Sequence, residues 1–358
     1  MNQIFKDLKV VELAGVLAGP SAGYFFAELG ATVVKIENPK TNGDVTRSWK
    51  LKGEDAKAKT SAYFWSINGL KEFVSLDITQ EKDLQKLYAL IKEADIVISN
   101  YKKGDDKKLK VDYPTLSKLK PDLIYASING FGSDSPRTAY DLILQAESGF
   151  MFMNGEANSV PTKMPVALID LLAGHQLKEA ILIALIKKLK DKKGSHITVS
   201  LFDSAVASLA NQATNWLIGN HLPVASGSLH PNIAPYGELF LTKDKQYITF
   251  AIGSNKQFES LCSVINNNSL PKDPKFSTNQ NRVKNRSELY SILNNHISKF
   301  QFKELLKTCE KNEIPMGKIR NMKEVFELPE AKLLLREIKD GNSTKKVVTS
   351  IGFKIADT

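Results

Sequence analysis

Six short β-rich runs, "KVVEL" (9–13), "TVVKIE" (32–37), "FVSLDI" (73–78), "DIVISN" (95–100), "LIYASING" (123–130) and "HITVSLFD" (196–203), are separated by amphipathic stretches such as "EKDLQKLYALIKEA" (81–94). Strands joined through helices rather than tight turns pair in parallel, and the helices then cover both faces of the sheet. The expected fold class is α/β: a doubly wound, mostly parallel sheet forming a Rossmann-like large domain. Past "ATNWLIGNHLPVASGSLHPNIAPYG" (213–237) the texture changes. Residues 237–253 read as a hairpin about the polar "TKDKQ" and are followed by polar helices, which predicts a second, smaller α+β domain. A chain of 358 residues exceeds what a single core serves. The expected division is residues 1–224 for the large domain and 225–317 for the small one, with 318–358 returning to the large domain.

The first βαβ unit, "KVVELAGVLAGPSAGYFFAELGATVVKIENP" (9–39), raises the question of a dinucleotide site. Pro20 suits a first helical position and Gly30 a helix C-cap. Gly15, Gly19 and Gly23, however, follow a G-x-x-x-G-x-x-x-G spacing. A pyrophosphate needs G-x-G-x-x-G to bring backbone against it at the helix start, so the spacing argues against a nicotinamide site. It leaves a permissive loop at a strand end, where ligands of doubly wound folds sit.

Bulk properties exclude several classes. No apolar stretch approaches the ~18 residues that span a bilayer, so no membrane role is expected. The start "MNQIFKDLKV" has no secretory core, and Cys262 and Cys309 are too few and too scattered for a disulfide framework or a zinc site, which points to a cytoplasmic protein. Neither His175, His196, His221, His230 nor His296 forms an H-E-x-x-H pattern, so no metal is expected. The net charge of +10 suggests an anionic partner. The lysines are interspersed with acids and no aromatic-basic recognition motif is present, so a phosphate-bearing small ligand fits better than nucleic acid.

The candidate chemical groups are few. In "MPVALIDLLAGHQLKEAILIALIKKLK" (164–190), Asp170 stands alone among apolar residues just ahead of a long periodic stretch. It suits a helix N-cap, and equally a carboxylate nucleophile at a strand-to-helix corner. His175 lies five residues on. After the fourth β-rich run come Asn100, Tyr101, Lys102, Lys103, Lys107 and Lys108, around Gly104. Such a charge run suits a solvated face, or a loop that holds phosphate and stacks a base. "GFGSDSPRTAYD" (130–141) supplies a second loop with Arg137 and Tyr140. No G-x-S-x-G elbow occurs, and Cys262 and Cys309 read as helix-core residues.

In order, these segments resemble the family III CoA-transferases (the CaiB/BaiF family) over nearly the whole chain. "VLAGPSAGYFFAELGATVVKIENP", "ADIVISNYKKG", "PDLIYASINGFG", "DLLAGHQLKEAILIALIKK" and "HPNIAPY" carry the resemblance. It implies that Asp170 is the nucleophilic aspartate and that Val16, Leu17 and Ala18 line the CoA path. Leu76 and Thr79 fall on the adenine side, and Asn100, Tyr101 and Lys102 in the loop after the fourth strand. Lys108 matches a basic residue, Tyr140 a CoA-contacting aromatic, and Asn38 a place where some members carry arginine. Ala14, Gly15 and Glu72 depart from the pattern. The resemblance further implies acyl-CoA and a small carboxylic acid as substrates, no tightly bound cofactor, and an interlocked homodimer. The chain's end at "SIGFKIADT" is short of the family's usual tail, which implies either altered oligomer contacts or a truncated chain. A 2-methylacyl-CoA racemase on the same scaffold is the nearest alternative, although Tyr140 stands where its histidine would fall. A non-catalytic nucleotide- or RNA-binding protein is the other.

Overall fold

The structure, a computed structural model, describes residues 3–341 and 343–356. Strands β1 (Lys9–Leu13), β2 (Thr32–Glu37), β3 (Glu72–Ser75), β4 (Ile96–Ser99), β5 (Ile124–Asn129) and β6 (Ser195–Ser200) form one parallel sheet in the order β3-β2-β1-β4-β5-β6. These correspond to the six runs read from the sequence: β1 and β2 match them in full, β4 and β5 are trimmed by one residue at each end, and β3 and β6 begin one residue earlier and end sooner. The order reverses between β1 and β4, and the loops leaving those two strands therefore open a crevice beyond their carboxyl ends. Burial on both faces explains why Ile96, Val97 and Ile98 of β4 are apolar in succession instead of alternating with polar residues.

One face of the sheet packs on helix α1 (Ala18–Glu28) and on a 24-residue helix, Leu168–Asp191, hereafter the long helix. The opposite face packs on the helix Glu81–Glu93 through Leu84, Leu87 and Ile91. Helix α1 starts ahead of Pro20, which occupies its third position and not the first. Proline is tolerated there because first-turn amides have no intrahelical acceptor to lose. The glycine spacing of α1 is a packing device. A Cβ on Gly23 would fall 2.0 Å from Glu12 Oε2, and one on Gly19 2.6 Å from the Ala14 Cβ. Gly174 does the same from the long helix, where a Cβ would lie 2.2 Å from Ser21 Oγ. Three bare positions thus let two helices and a strand close on one another near the crevice.

The chain divides into two compact units. One comprises Met1–Met153, Pro161–Pro223 and Leu333–Thr358, and the other Asn154–Val160 and Val224–Lys332. The smaller unit holds the expected hairpin, β7 (Tyr236–Leu241) with β8 (Tyr247–Ala251), extended by β9 (Met316–Lys318) into an antiparallel sheet. Its core contains Phe240, Phe250, Phe258, Leu289 and Leu293, together with both cysteines. Burial raises the Cys262 thiol to about 12 and that of Cys309 to about 11, so both are inert packing groups. Within the larger unit a second hairpin, β10 (Leu335–Asp340) with β11 (Ser343–Val348), is tied to α1. Arg336 pairs with Glu28 at 3.1 Å, and the Ser350 amide donates to the same carboxylate at 2.8 Å. No helix among the described residues is long and apolar enough to cross a membrane.

Candidate active site

Loops after β1, β4 and β5 meet the start of the long helix around a cavity of about 540 Å³. Its wall includes Val16, Leu17, Ala18, Asn100, Tyr101, Lys102, Arg137, Tyr140 and Asp170, so nine of the residues singled out from the sequence converge there. Asn38, Leu76, Thr79 and Lys108 do not line it. The Asn38 side chain caps its own turn by accepting from the Lys40 amide, and Leu76 is a core residue. The Thr79 hydroxyl donates to Asp77 Oδ1 at 2.6 Å, and Lys108 points to Asp105 on the surface.

The loop after β1 is held in a costly shape. Val16 adopts φ 70°, a left-handed conformation that is a genuine outlier for a β-branched residue and costs roughly 1–3 kcal/mol. Two clamps hold it. The Asn100 side chain brackets Gly15, accepting from its amide at 3.0 Å and donating to its carbonyl at 2.8 Å. The Asp44 carboxylate accepts from the Val16 amide at 3.2 Å. Behind the loop, Asp44 is itself fixed by a buried chain of charges. Lys35 pairs with Asp44 at 3.0 Å and with Glu12 at 2.9 Å, and Glu12 pairs with Lys71 at 2.8 Å. Strand register creates the first link, since Glu12 on β1 lies opposite Lys35 on β2. Burial alone would lower Lys35, but two carboxylates outweigh it and hold its pKa up; Lys71, with one, is brought down to about 8 by burial. Beyond Val16, α1 begins with no side-chain cap, leaving the first-turn amides of Ala18 and Gly19 without intrahelical acceptors.

Asp170 is the third residue of the long helix and not its cap. The capping is done by Asp141, whose Oδ1 accepts from the Ile169 amide at 2.8 Å and the Asp170 amide at 3.4 Å. That division of labour frees the Asp170 carboxyl, which accepts no hydrogen bond among the described residues. It is 7% exposed, and burial, then the charge of Asp141, raises it to about 7. Tyr63 faces the same group: burial, then Asp170, Asp141 and Asp44, push its phenol up to about 12. A carboxylate stripped of both water and donors retains its lone pairs for attack on an electrophile.

Asp170 also borders a second cavity of about 740 Å³, on the side facing Trp49, Tyr63, His175 and Lys178. The carboxyl therefore sits where two cavities meet. On the first side, Tyr101 is half-buried, and Lys102 is exposed with no ion pair among the described residues. Arg137 lies 3.9 Å from the Phe131 ring and pairs with Glu147, while Tyr140 is 56% exposed. Sequence reasoning missed Asp141, Tyr63 and Lys178. No local signal marks Asp141, whose capping partner lies 28 residues downstream. Among the described residues no cluster of three or more metal-ligating side chains occurs.

The family model for CoA-transferase family III matches residues 5–358. Among relatives, the chain is 37% identical to the succinate–glutarate CoA-transferase of Agrobacterium fabrum, over 90% of this chain and 82% of that protein. It is 35% identical to the human succinyl-CoA:glutarate CoA-transferase, over 92% and 75%. It is 33% identical to the acetyl-CoA:oxalate CoA-transferase of Acetobacter aceti, over 94% and 86%. A CAIB/BAIF family protein from Brucella suis superposes with a TM-score of 0.86 at 36% identity, over 100% of this chain and 94% of that one. With its six-stranded sheet, crevice and matching family model, the chain belongs to CoA-transferase family III.

Proposed function

We propose that this enzyme moves CoA from an acyl-CoA donor to a small carboxylic acid, with Asp170 as the covalent carrier. The observation that carries the proposal is the Asp170 carboxyl, buried and unbonded where two cavities meet. Its oxygen attacks the acyl carbon, the C–S bond breaks, and a mixed anhydride and free CoA thiolate result. The thiolate then attacks the aspartyl carbonyl, releasing the donor acid and leaving an aspartyl-CoA thioester. The acceptor carboxylate attacks that thioester to form a new anhydride, and the thiolate finally attacks its acyl carbon, freeing Asp170. Each bond formed replaces one of similar energy, so the thioester energy is kept provided water is excluded. In this reading the free amides at the start of α1 supply donors to the oxyanions, and CoA occupies the first cavity, lined by Val16 to Ala18, Asn100 to Lys102, Arg137 and Tyr140. A homodimer, as the family resemblance implies, belongs to the same proposal.

Two measurements test this reading. Incubation with succinyl-CoA, rapid quenching and peptide mass spectrometry should find CoA attached to the Asp170 peptide; brisk exchange with no such adduct would overturn the covalent route. The second concerns pH. Only the ionised carboxylate attacks, so kcat/KM should rise with pH and level off above about 7. At one unit below that midpoint it should be about a tenth of the plateau. A flat profile between pH 5 and 8 would place the nucleophile elsewhere.

A further inference from the structure

We propose that Lys178 makes the second cavity selective for dicarboxylic acids, by pairing with the carboxylate that does not react. The inference rests on the proposed CoA exchange at Asp170 and adds the identity of the acid.

Lys178 is 7% exposed and lines the second cavity together with Asp170. It makes no hydrogen bond or ion pair among the described residues, and its ammonium lies 5.3 Å from the Phe25 ring centroid. An ammonium taken out of water with no partner is costly, and proteins keep such groups where a ligand supplies the counter-charge. Burial accordingly pushes Lys178 down, against the pull of Glu28 and Glu179. Glu28 is not a free partner, because Arg336 and Ser350 already occupy its carboxylate. The other cation on the cavity wall, Lys163, is exposed, and an ion pair in water contributes little.

A second unspent group points the same way. Tyr24 is fully buried, lines the same cavity, and its hydroxyl has no hydrogen-bond partner. A buried hydroxyl without an acceptor is penalised by roughly 1–3 kcal/mol, and a carboxylate oxygen would relieve it. Geometry sets the acid's length. Asp170 and Lys178 are eight residues apart on one helix, about 12 Å along its axis. Allowing about 3 Å for contact at each end, the interval suits a chain of roughly four to six carbons carrying a carboxylate at both ends. A monocarboxylic acid would leave the Lys178 ammonium dry and unpaired.

The test compares glutarate with pentanoate, which has the same carbon chain but one carboxylate, in the wild type, Lys178→Met and Lys178→Arg. Lys178→Met should lower kcat/KM for glutarate roughly 10- to 100-fold, chiefly through KM, and leave pentanoate unchanged or improved. Lys178→Arg should keep most of the preference. Loss of both acids in equal proportion, or of neither, would overturn the inference. A readout independent of turnover is the rise in melting temperature that each acid gives the free enzyme. Glutarate should stabilise the wild type and the arginine variant but not the methionine variant. If that pattern holds while no acid is exchanged, the acid site stands and the transfer reading falls. If exchange proceeds but glutarate is not favoured over pentanoate, the reverse follows. The methionine variant should itself melt no lower than the wild type, since it removes a buried charge.

Discussion

Asp170→Asn should abolish CoA exchange while leaving acyl-CoA bound, because the amide keeps the side chain's size and loses the oxygen proposed to attack. With chemistry divided into acyl transfers through one group, removing that group removes every later step. Turnover at or above a hundredth of the wild-type rate would show that another group carries the acyl chain. The same variant should be more stable than the wild type at high pH. The folded-state pKa of Asp170, about 7, lies above its unfolded value of 3.8. The wild-type carboxyl therefore contributes stability that is complete below the unfolded value and is lost as pH rises through the folded one. That separation corresponds to a ceiling of about 4 kcal/mol. Melting curves of the two proteins should nearly coincide at pH 4 and separate toward pH 8, with the asparagine variant higher. Coincidence at pH 8 would mean that the carboxylate is satisfied in the free enzyme, which would undercut its reactivity as well.

Glu12→Ala should be the most damaging substitution for stability away from Asp170. It leaves Lys35 short of one buried partner and Lys71 without its carboxylate, and breaking a buried pair costs about 3–5 kcal/mol. Denaturant unfolding should register this as a lower midpoint with an unchanged slope. A loss below about 1 kcal/mol would show that water reaches the cluster and screens it. An apolar replacement of three members of the chain, Glu12→Leu with Lys35→Met and Lys71→Met, should restore only part of the stability, because it re-covers Lys35 and Lys71 but leaves Asp44 buried without its lysine. It should not restore turnover. Asp44 would lose the lysine that anchors it, and the Val16 amide would lose its fixed acceptor. The comparison separates what the buried charges do for folding from what they do for the loop.

How far the sequence discloses these features depends on the range of the interactions. The strands and the long helix are legible because hydrophobic period is local, and the hairpin because a polar turn lies between two apolar runs. Asp170 stands out as an isolated acid in an apolar stretch, yet its two possible roles are separated only by Asp141, which takes the cap from a distant turn. Lys178 reads as one more lysine in a lysine-rich helix; its neighbours, the Phe25 ring on α1 and the cavity wall it shares with residues 348–350, come from distant parts of the chain. The buried charge chain did leave a trace. Glu12 interrupts "VVEL" and Lys35 interrupts "VVKIE", one charge inside each of two successive apolar strands, and only the register between them makes the two a pair. Leu76, Thr79, Lys108 and Asn38 show the converse. Position along a matching segment locates a neighbourhood, whereas the direction of a side chain is fixed by what packs against it.

The larger unit is discontinuous in the chain, and this has a consequence for its biosynthesis. Every described residue lining the first cavity lies at or before position 201. The second cavity also needs Val348, Thr349 and Ser350, and Ser350 reaches back across 322 positions to Glu28. Ribosomes release chains amino end first, at about 5–20 residues per second. A nascent polypeptide therefore carries the described lining of the first cavity well before the last wall of the second has been translated, so the two cavities are completed in a fixed order.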